Sequence, residues 1–428
     1  MLSGSISKSI IKSKFATDSL FSLVSVVLLG VCGLVLNFVI ARKYNAATLG
    51  VFNEVYACYI LFSQFAALGV QVSSLKHTAE YSEDPVECGK IFTSAFIVVV
   101  LSASVFSAAL FFLRSWIAVF FKSPGVATGL LWIIPGLWCF SMNKLFLNVL
   151  NGFRMMKAYA FFTSIRYIAM LLALAASVRT GLAGERLSII FSVSESLLFV
   201  LLFVYRVRSF SFSSLTETRQ WMKRHLSFGL RSMVGGISAD LNTRIDVIIL
   251  GYFSSDRIVG IYSFAATIVE GVAQIPYVLK QNVDPILARL IMLKKTEEVV
   301  SMISRGKKWS FGGMLVLGIV LISIYPYAIS LVTGNPDFKG SWPVFCILMA
   351  GSIIQSGYVP FSGILVQSGY PFLQTLHLLS FTLSNVVFNI VLVPFFGIFG
   401  AAIATSLAFV MFVYYLKLFT FRAMKIMI

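Results

Sequence analysis

Apolar runs of roughly 20 residues recur along the whole chain, separated by short polar segments. An α-helix of that length crosses a hydrocarbon core of about 30 Å, so each run is a candidate membrane span. The chain is therefore expected to be an all-α integral membrane protein. The pattern predicts about twelve transmembrane helices, at 19–41, 51–74, 91–113, 126–150, 159–178, 187–205, 226–250, 258–283, 309–332, 342–367, 373–394 and 399–416.

Composition excludes a water-soluble protein. Hydrophobic residues make up 58% of the chain and charged residues only 12%, with a mean hydropathy of +0.90, whereas about a quarter of the residues in soluble domains are charged. The segments between the apolar runs are too short for a soluble catalytic domain, and they contain no Walker A, HExxH or similar motif. We therefore expect no enzymatic activity, no catalytic residues, no cofactor and no bound metal.

The formal net charge of +17 is interpreted mainly as a topology signal. With the N-terminus inside, most of the basic residues outside the spans fall on the cytoplasmic side, in agreement with the positive-inside rule. Both termini are therefore expected in the cytoplasm. A nucleic-acid partner is not expected, because most of the chain is too apolar to stay in water.

Matches between distant segments indicate an internal duplication. Gly50 in the first half corresponds to Gly260 in the second, at the same turn between spans. Gly181 corresponds to Gly397 in the same way, near the end of each half. Because each half has six spans, the two repeats keep one membrane orientation and are related by an axis along the membrane normal.

The duplication divides the chain into two domains. An N-terminal six-helix bundle is expected at 1–208 and a homologous C-terminal bundle at 209–428, joined by a basic cytoplasmic linker at about 206–225.

Polar residues at steps of three and four form a continuous stripe along the predicted span 258–283. At about 100° per residue they share one helix face, which cannot face lipid because polar groups in hydrocarbon are costly. We interpret the stripe as the lining of a water-filled cavity; the alternative is that its hydrogen bonds only hold helices together. Its members are Ser263, Thr267, Glu270, Gln274, Tyr277, Gln281 and Asp284, and the corresponding residues of span 51–74 are Asn53, Gln64 and Gln71.

Several ionisable residues fall inside the predicted spans, where such groups are candidates for function. In span 226–250, Asp240 and Arg244 are spaced to form an ion pair, whereas Arg231 has no acid one turn away and is interpreted as a cation that faces the cavity. Arg231 shares its helix face with Asn242 and Asp246. The other charges are Arg166, Glu54, Glu195 and Glu270, together with Lys144, Asp18 and Lys280, which lie close enough to a span end to reach water.

Four stretches of the sequence resemble one family. They are 41–52 followed by 68–70, 246–266, 283–290 and 385–406, and they occur in matching order over nearly the whole chain. They are similar to segments typical of the Wzx-type O-antigen and exopolysaccharide flippases. These proteins belong to the multidrug/oligosaccharidyl-lipid/polysaccharide exporter superfamily.

The resemblance implies twelve helices in two six-helix lobes around a central cavity that opens alternately to each side. It also implies transport of an undecaprenyl-diphosphate-linked oligosaccharide from the cytoplasmic to the periplasmic leaflet of the bacterial inner membrane. Membrane lipid, a coupling H+ or Na+, a polysaccharide polymerase and a chain-length regulator would then be partners. The alternative is a cation-coupled antiporter for drugs or organic cations with the same fold.

Under this resemblance the charged residues acquire candidate roles. Arginine suits a diphosphate because its planar guanidinium group donates two parallel hydrogen bonds, so Arg231, Arg244 and Arg166 are the candidates for that contact. Glu270 is the first candidate for ion coupling because it lies in mid-span on the polar stripe. Asp246, Asp240 and Glu54 are the others.

Overall fold

The computed structural model describes residue 28 and residues 30–207 and 214–426. The start of the first predicted span, Asp18 and the middle of the linker lie outside the described residues. The described chain is all-α. Its helices are α1 (described from 30 to 43), α2 (Ala46–Ala67), α3 (Val70–Glu80), α4 (Pro85–Phe121), α5 (Pro124–Gly152), α6 (Met156–Arg179), α7 (Ile189–Val207), α8 (Leu215–Asn242), α9 (Ile245–Phe253), α10 (Asp256–Met292), α11 (Thr296–Thr333), α12 (Ser341–Ser356), α13 (Ile364–Gln367) and α14 (Pro371–Met424), with short 3-10 turns at Gly184–Arg186, Pro336–Gly340 and Val359–Phe361.

The apolar helices confirm an integral membrane protein. Among the described residues, eight helices are each long and apolar enough to cross a membrane, and a bent pair, Pro336–Ser356 with Val359–Gln367, would make a ninth. The helix α14 has 54 residues and covers the last two predicted spans. The first and seventh predicted spans fall on α1, which is described only in part, and on α8 with α9.

Three predicted spans are broken where the sequence suggested one continuous helix. The second divides at Leu68 and Gly69, and both residues have left-handed backbone angles. The seventh divides between α8 and α9, and the tenth divides where Pro360 lies in a 3-10 turn. A hydropathy window reports composition only, so it does not detect a local change of backbone direction.

The break in α14 agrees with the internal repeat. Gly397 has φ 52° and ψ −127°, so the backbone leaves the helix there and separates the two predicted spans. Its counterpart Gly181 also has a positive φ, of 65°, just after α6 ends. A left-handed φ is readily available only to glycine, which gives a physical reason for glycine at both positions.

The described residues form two compact units. The first contains those within 1–33, 58–115 and 127–236, and the second those within 34–57, 116–126 and 237–428. The first unit therefore holds α3, α6, α7 and most of α4, α5 and α8. The second holds α9 to α14. It also contains residues 34–43 of α1, residues 46–57 of α2, and the adjoining ends of α4 and α5. The division into homologous bundles at residue 208 stays a prediction from the repeat.

Within the second unit, α2 and α10 cross with their backbones in contact. A β-carbon built at Gly50 would lie 1.8 Å from the Asp256 carbonyl oxygen, and one built at Gly260 would lie 1.8 Å from the Ala46 carbonyl oxygen. Both distances are far below any van der Waals contact, so only glycine fits at either position. The two glycines that the repeat pairs in sequence therefore meet at one helix crossing.

Replacing Gly260 by alanine is expected to force α2 and α10 apart. We expect the substitution to cost at least about 2 kcal/mol, because overpacking a close contact displaces backbone as well as side chains. The thermal unfolding temperature of the purified protein in mild detergent measures the loss. Gly312→Ala is the matched control, since a β-carbon on that α11 glycine meets nothing within 4 Å. Equal unfolding temperatures for the two variants would contradict the crossing.

Candidate transport site

An ion pair between α9 and α10 occupies the centre of the candidate site in the second unit. Arg244 precedes the first residue of α9, and its Nη2 and Nη1 atoms lie 3.2 and 3.4 Å from the two carboxylate oxygens of Glu270. The guanidinium group also lies over the ring of Tyr56 on α2, 5.0 Å from its centroid. The pair therefore joins three helices, with the two-pronged geometry that arginine makes with carboxylates.

The predicted pairing of Asp240 with Arg244 is wrong. It assumed one continuous helix, in which residues four apart are neighbours. The structure ends α8 at Asn242 and begins α9 at Ile245, so the two side chains no longer share a helix. Arg244 forms its ion pair with Glu270 instead, 26 residues further along the chain. Asp240 as an ion-coupling residue stays a prediction.

Asp246, the second residue of α9, lies in a buried polar cluster. Its carboxylate accepts hydrogen bonds from the Tyr262 hydroxyl group at 2.5 Å and from the Val247 amide at 2.8 Å. The Tyr262 hydroxyl group also lies 3.4 Å from that of Thr405 on α14. The carboxylate is therefore held in place by donors from α9 and α10.

Two asparagines of α14 extend this polar region. Asn385 donates to the backbone and side-chain oxygens of Asn242 at 3.2 and 3.1 Å, and Asn389 donates back to Asn385. Both are buried, and the Asn389 side-chain oxygen has no hydrogen-bond donor among the described residues. These residues were not identified from the sequence. The spacing of the two asparagines could have indicated them, since residues four apart in an apolar span lie on one helix face.

Glu54 is completely buried near the start of α2. Neither of its carboxylate oxygens has a hydrogen-bond donor among the described residues. Asp256 is the one charged neighbour with a significant electrostatic effect on it within the described part of the chain. The carboxylate of Asp256 accepts a hydrogen bond from the Ser123 hydroxyl group at 2.8 Å. Two acids this close together repel each other, and one proton or one small cation between them would relieve the repulsion.

The polar stripe of α10 changes from buried to exposed along the helix. Ser263 is buried, Thr267, Glu270 and Gln274 are partly exposed, and Tyr277 and Gln281 are exposed. Asp284, the last member, is partly buried again and forms an ion pair with Lys280. The end with the exposed residues is the one that the positive-inside rule assigns to the cytoplasm. A polar surface that becomes more exposed from Ser263 to Gln281 is what the wall of a water-filled vestibule requires.

The corresponding residues of α2 and α3 are buried. Asn53 donates to the Asn37 side chain at 3.2 Å and to the Leu49 carbonyl at 2.9 Å. Gln64 and Gln71 are 7% and 8% exposed. Their position fits the alternative given above, hydrogen bonds that hold helices together, and their part in a cavity stays a prediction.

The first unit contains a second buried ion pair. Arg166 on α6 lies 2.9 Å from the Glu195 carboxylate on α7, and Asn143 on α5 donates to the other oxygen of that carboxylate at 2.8 Å. Lys144 donates to the Ser63 hydroxyl group and lies over the ring of Phe140, as Arg166 does. Glu195 is thus already neutralised by an arginine.

The expectation for Lys144, a charge named within the predicted spans, is wrong. Its position near a predicted span end suggested that it extends toward water. The structure instead holds its ammonium group against α2, close enough to act electrostatically on Glu195. The first unit therefore brings two cations to one acid.

Arg231 is exposed on α8 and has no ion pair among the described residues. Arg166 and Arg244, in contrast, each have a glutamate partner. Of the three arginines considered for anion binding, Arg231 is the one whose charge is left uncompensated within the described ranges.

Sequence comparisons agree with this set of membrane helices and charges. The model of the family described as "Polysaccharide biosynthesis protein" matches residues 16–290, more than half of the chain. A curated relative, the probable flippase AglR of Haloferax volcanii, is 21% identical over 382 residues, which cover 88% of this chain and 77% of the relative.

Solved structures share the fold. The lipid II flippase MurJ in an inward closed conformation superposes with a TM-score of 0.74 at 15% identity, covering 94% of this chain and 87% of that one. An inward-facing multidrug resistance MATE family transporter gives a TM-score of 0.73 at 13% identity, covering 93% and 94%. At this identity the likeness shows the fold alone. The family match over more than half of the chain shows more: the protein belongs to the family described as "Polysaccharide biosynthesis protein".

Proposed function

We propose that this protein is a flippase that moves an undecaprenyl-diphosphate-linked oligosaccharide, an O-antigen or exopolysaccharide repeat unit, from the cytoplasmic to the periplasmic leaflet by alternating access. The glycan would occupy the polar vestibule while the polyprenyl chain stays in lipid. The protein would lie in the bacterial inner membrane with both termini in the cytoplasm. A polysaccharide polymerase and a chain-length regulator would act on the product.

The graded exposure of the α10 stripe is the observation that carries this proposal. A sugar has hydroxyl groups in all directions, so its path needs hydrogen-bonding groups spaced along a helix rather than one deep polar pocket. Gln274, Tyr277 and Gln281 supply them toward the exposed end, and Ser263 closes the stripe at the buried end. The vestibule would thus admit a glycan from the cytoplasmic side.

The distribution of charge favours an anionic substrate over a cationic drug. Glu270 and Glu195, two acids that could attract an organic cation, are each paired with an arginine. Arg231 remains without a counter-ion among the described residues and would contact the diphosphate, with Arg244 and Arg166 as further candidates. The drug antiporter stays the second candidate function, because a MATE transporter shares the fold.

For ion coupling we propose Glu270 first. Its side chain is 41% exposed, so a proton or Na+ can reach it from the vestibule and compete with Arg244. Asp246 and Glu54 are more enclosed, and Glu54 has Asp256 beside it. With Asp240, they are the remaining candidates for binding H+ or Na+.

Arg231→Ala is expected to reduce flipping by about tenfold. A charge-assisted contact to phosphate contributes roughly 1.5 to 3 kcal/mol, and its loss weakens substrate capture accordingly. The measurement is surface polysaccharide in a strain that lacks the native gene, together with the lipid-linked repeat unit that accumulates inside. Arg231→Lys should retain part of the activity, since it keeps the charge.

Arg219→Ala is the matched control on the same helix, because Arg219 is also exposed. It should leave surface polysaccharide unchanged. If Arg231→Ala and Glu270→Gln both give wild-type polysaccharide at wild-type protein levels, the assigned roles fail. If the protein confers drug efflux on a sensitive host and does not restore polysaccharide, the antiporter is the correct function.

The Arg244–Glu270 pair is expected to show strong energetic coupling. Removing either partner leaves the other charge partly buried without compensation, so the double alanine variant should lose less stability than the two single variants added together. We expect a coupling energy of roughly 1 to 3 kcal/mol from unfolding measurements. The exposed pair Arg257–Asp337, with an N–O distance of 2.7 Å, is the control and should couple by less than about 1 kcal/mol. Equal coupling energies in the two pairs would contradict the claim that the Arg244–Glu270 pair forms the centre of the site.

A further inference from the structure

Two lysines from different helices share one aromatic ring in the second unit. The ammonium nitrogen atoms of Lys307 on α11 and Lys417 on α14 each lie 5.0 Å from the centroid of the Tyr358 ring. Tyr358 follows α12 at the break of the tenth predicted span. Three separate elements therefore bring two positive charges to one short stretch of surface.

Neither lysine has a carboxylate or hydrogen-bond partner among the described residues. The ion pairs found in that part of the chain involve other lysines, such as Lys280 with Asp284 and Lys295 with Glu298. The tyrosine ring attracts both cations through its negative face but leaves their charge in place. Each lysine therefore keeps its full positive charge without a counter-ion among the described residues, and an anion within reach of both ammonium groups would lower the energy.

The two lysines lie where a membrane helix meets the aqueous phase. Lys307 comes just before the apolar part of α11, which begins at Trp309, and the Trp309 side chain is 82% exposed. Lys417 directly follows the last predicted span in α14. Exposed tryptophan is typical of the membrane–water boundary, which is also the depth of phospholipid phosphate groups.

We propose that Lys307, Lys417 and Tyr358 form a binding site for the phosphate group of an anionic phospholipid, on the side predicted to be cytoplasmic. The flexible lysine side chains can both reach one phosphate, and the tyrosine hydroxyl group can donate to it, since it has no partner among the described residues. Tyr358 and Lys307 are half-buried, so their side chains define the position of the site. Lys417 on α14 is exposed and supplies the second positive charge. Such a lipid would hold α11, α14 and the turn after α12 together. The site is separate from the residues proposed to contact the transported glycan.

The test uses the full-length protein in mild detergent, titrated with phosphatidylglycerol or phosphatidylcholine and followed by native mass spectrometry. We expect Lys307→Gln/Lys417→Gln to weaken binding of the first phosphatidylglycerol by about tenfold or more. Each lysine near an anionic lipid phosphate contributes about fivefold to the affinity. Lys307→Arg/Lys417→Arg should retain binding. Lys417→Gln alone, at an exposed position, should weaken binding severalfold even if the double variant is unstable.

Lys308→Gln/Arg422→Gln is the matched control, because it removes two charges from the same ends of α11 and α14 without touching Tyr358. It should bind phosphatidylglycerol as the wild type does. If this control loses as much phosphatidylglycerol binding as Lys307→Gln/Lys417→Gln, the lipid is attracted by the general positive charge of the surface, and the proposed site is wrong. Phosphatidylcholine binding as tightly as phosphatidylglycerol, or inorganic phosphate at millimolar concentration displacing the lipid, would overturn the assignment to an anionic phospholipid.

Discussion

The close crossing of α2 and α10 is the constraint on which the arrangement of the second unit depends. Gly50 and Gly260 let the two backbones touch, and the carbonyl oxygens of Asp256 and Ala46 fill the space that side chains would need. This contact brings Glu54 beside Asp256 at one end of the helices. Further along, it places Tyr56 under the guanidinium group of Arg244 while Glu270 holds that group from α10. The polar chemistry of the unit is arranged around one backbone contact.

The sequence predicted this fold at the level of helices and repeats, because both are local or additive properties. Runs of apolar residues identified the membrane helices, and the glycine pairs identified the duplication. That Gly50 and Gly260 would touch each other did not follow from their equivalence in the repeat. The helix breaks at Gly69 and Gly397 depend on backbone angles that composition does not encode.

The candidate site was harder to predict because its contacts are between helices. Arg244 illustrates this: a rule for neighbours on one helix assigned it to Asp240, whereas the break before α9 turns it toward Glu270. Lys144 shows the same limit, since its distance from a span end says nothing of the serine that it meets on α2. That the α10 stripe lies on one helix face follows from the sequence, because a helix face is a property of spacing alone. How far each of its residues is exposed depends on the surrounding helices.

The polar residues of the two halves are not simple copies. Ile60 occupies the position that corresponds to Glu270, so the duplicated scaffold carries its acid in the second half only. Each unit nevertheless has one arginine–glutamate pair, Arg166–Glu195 and Arg244–Glu270, built at unrelated positions. Each pair keeps two ionisable groups inside the membrane at a lower cost than either charge would have alone.

The account requires the crossing of α2 and α10 to stay closed during transport, because Gly50 and Gly260 hold the two backbones in direct contact within one compact unit. Spin labels at Lys43→Cys and Ser255→Cys, two exposed positions beside the crossing, would report this distance in a protein whose five native cysteines are replaced. Reconstituted in liposomes, the labelled protein should give the same single short distance with and without an undecaprenyl-diphosphate-linked oligosaccharide. A second, longer distance that appears when this substrate is added, in a preparation that flips it, would contradict the account.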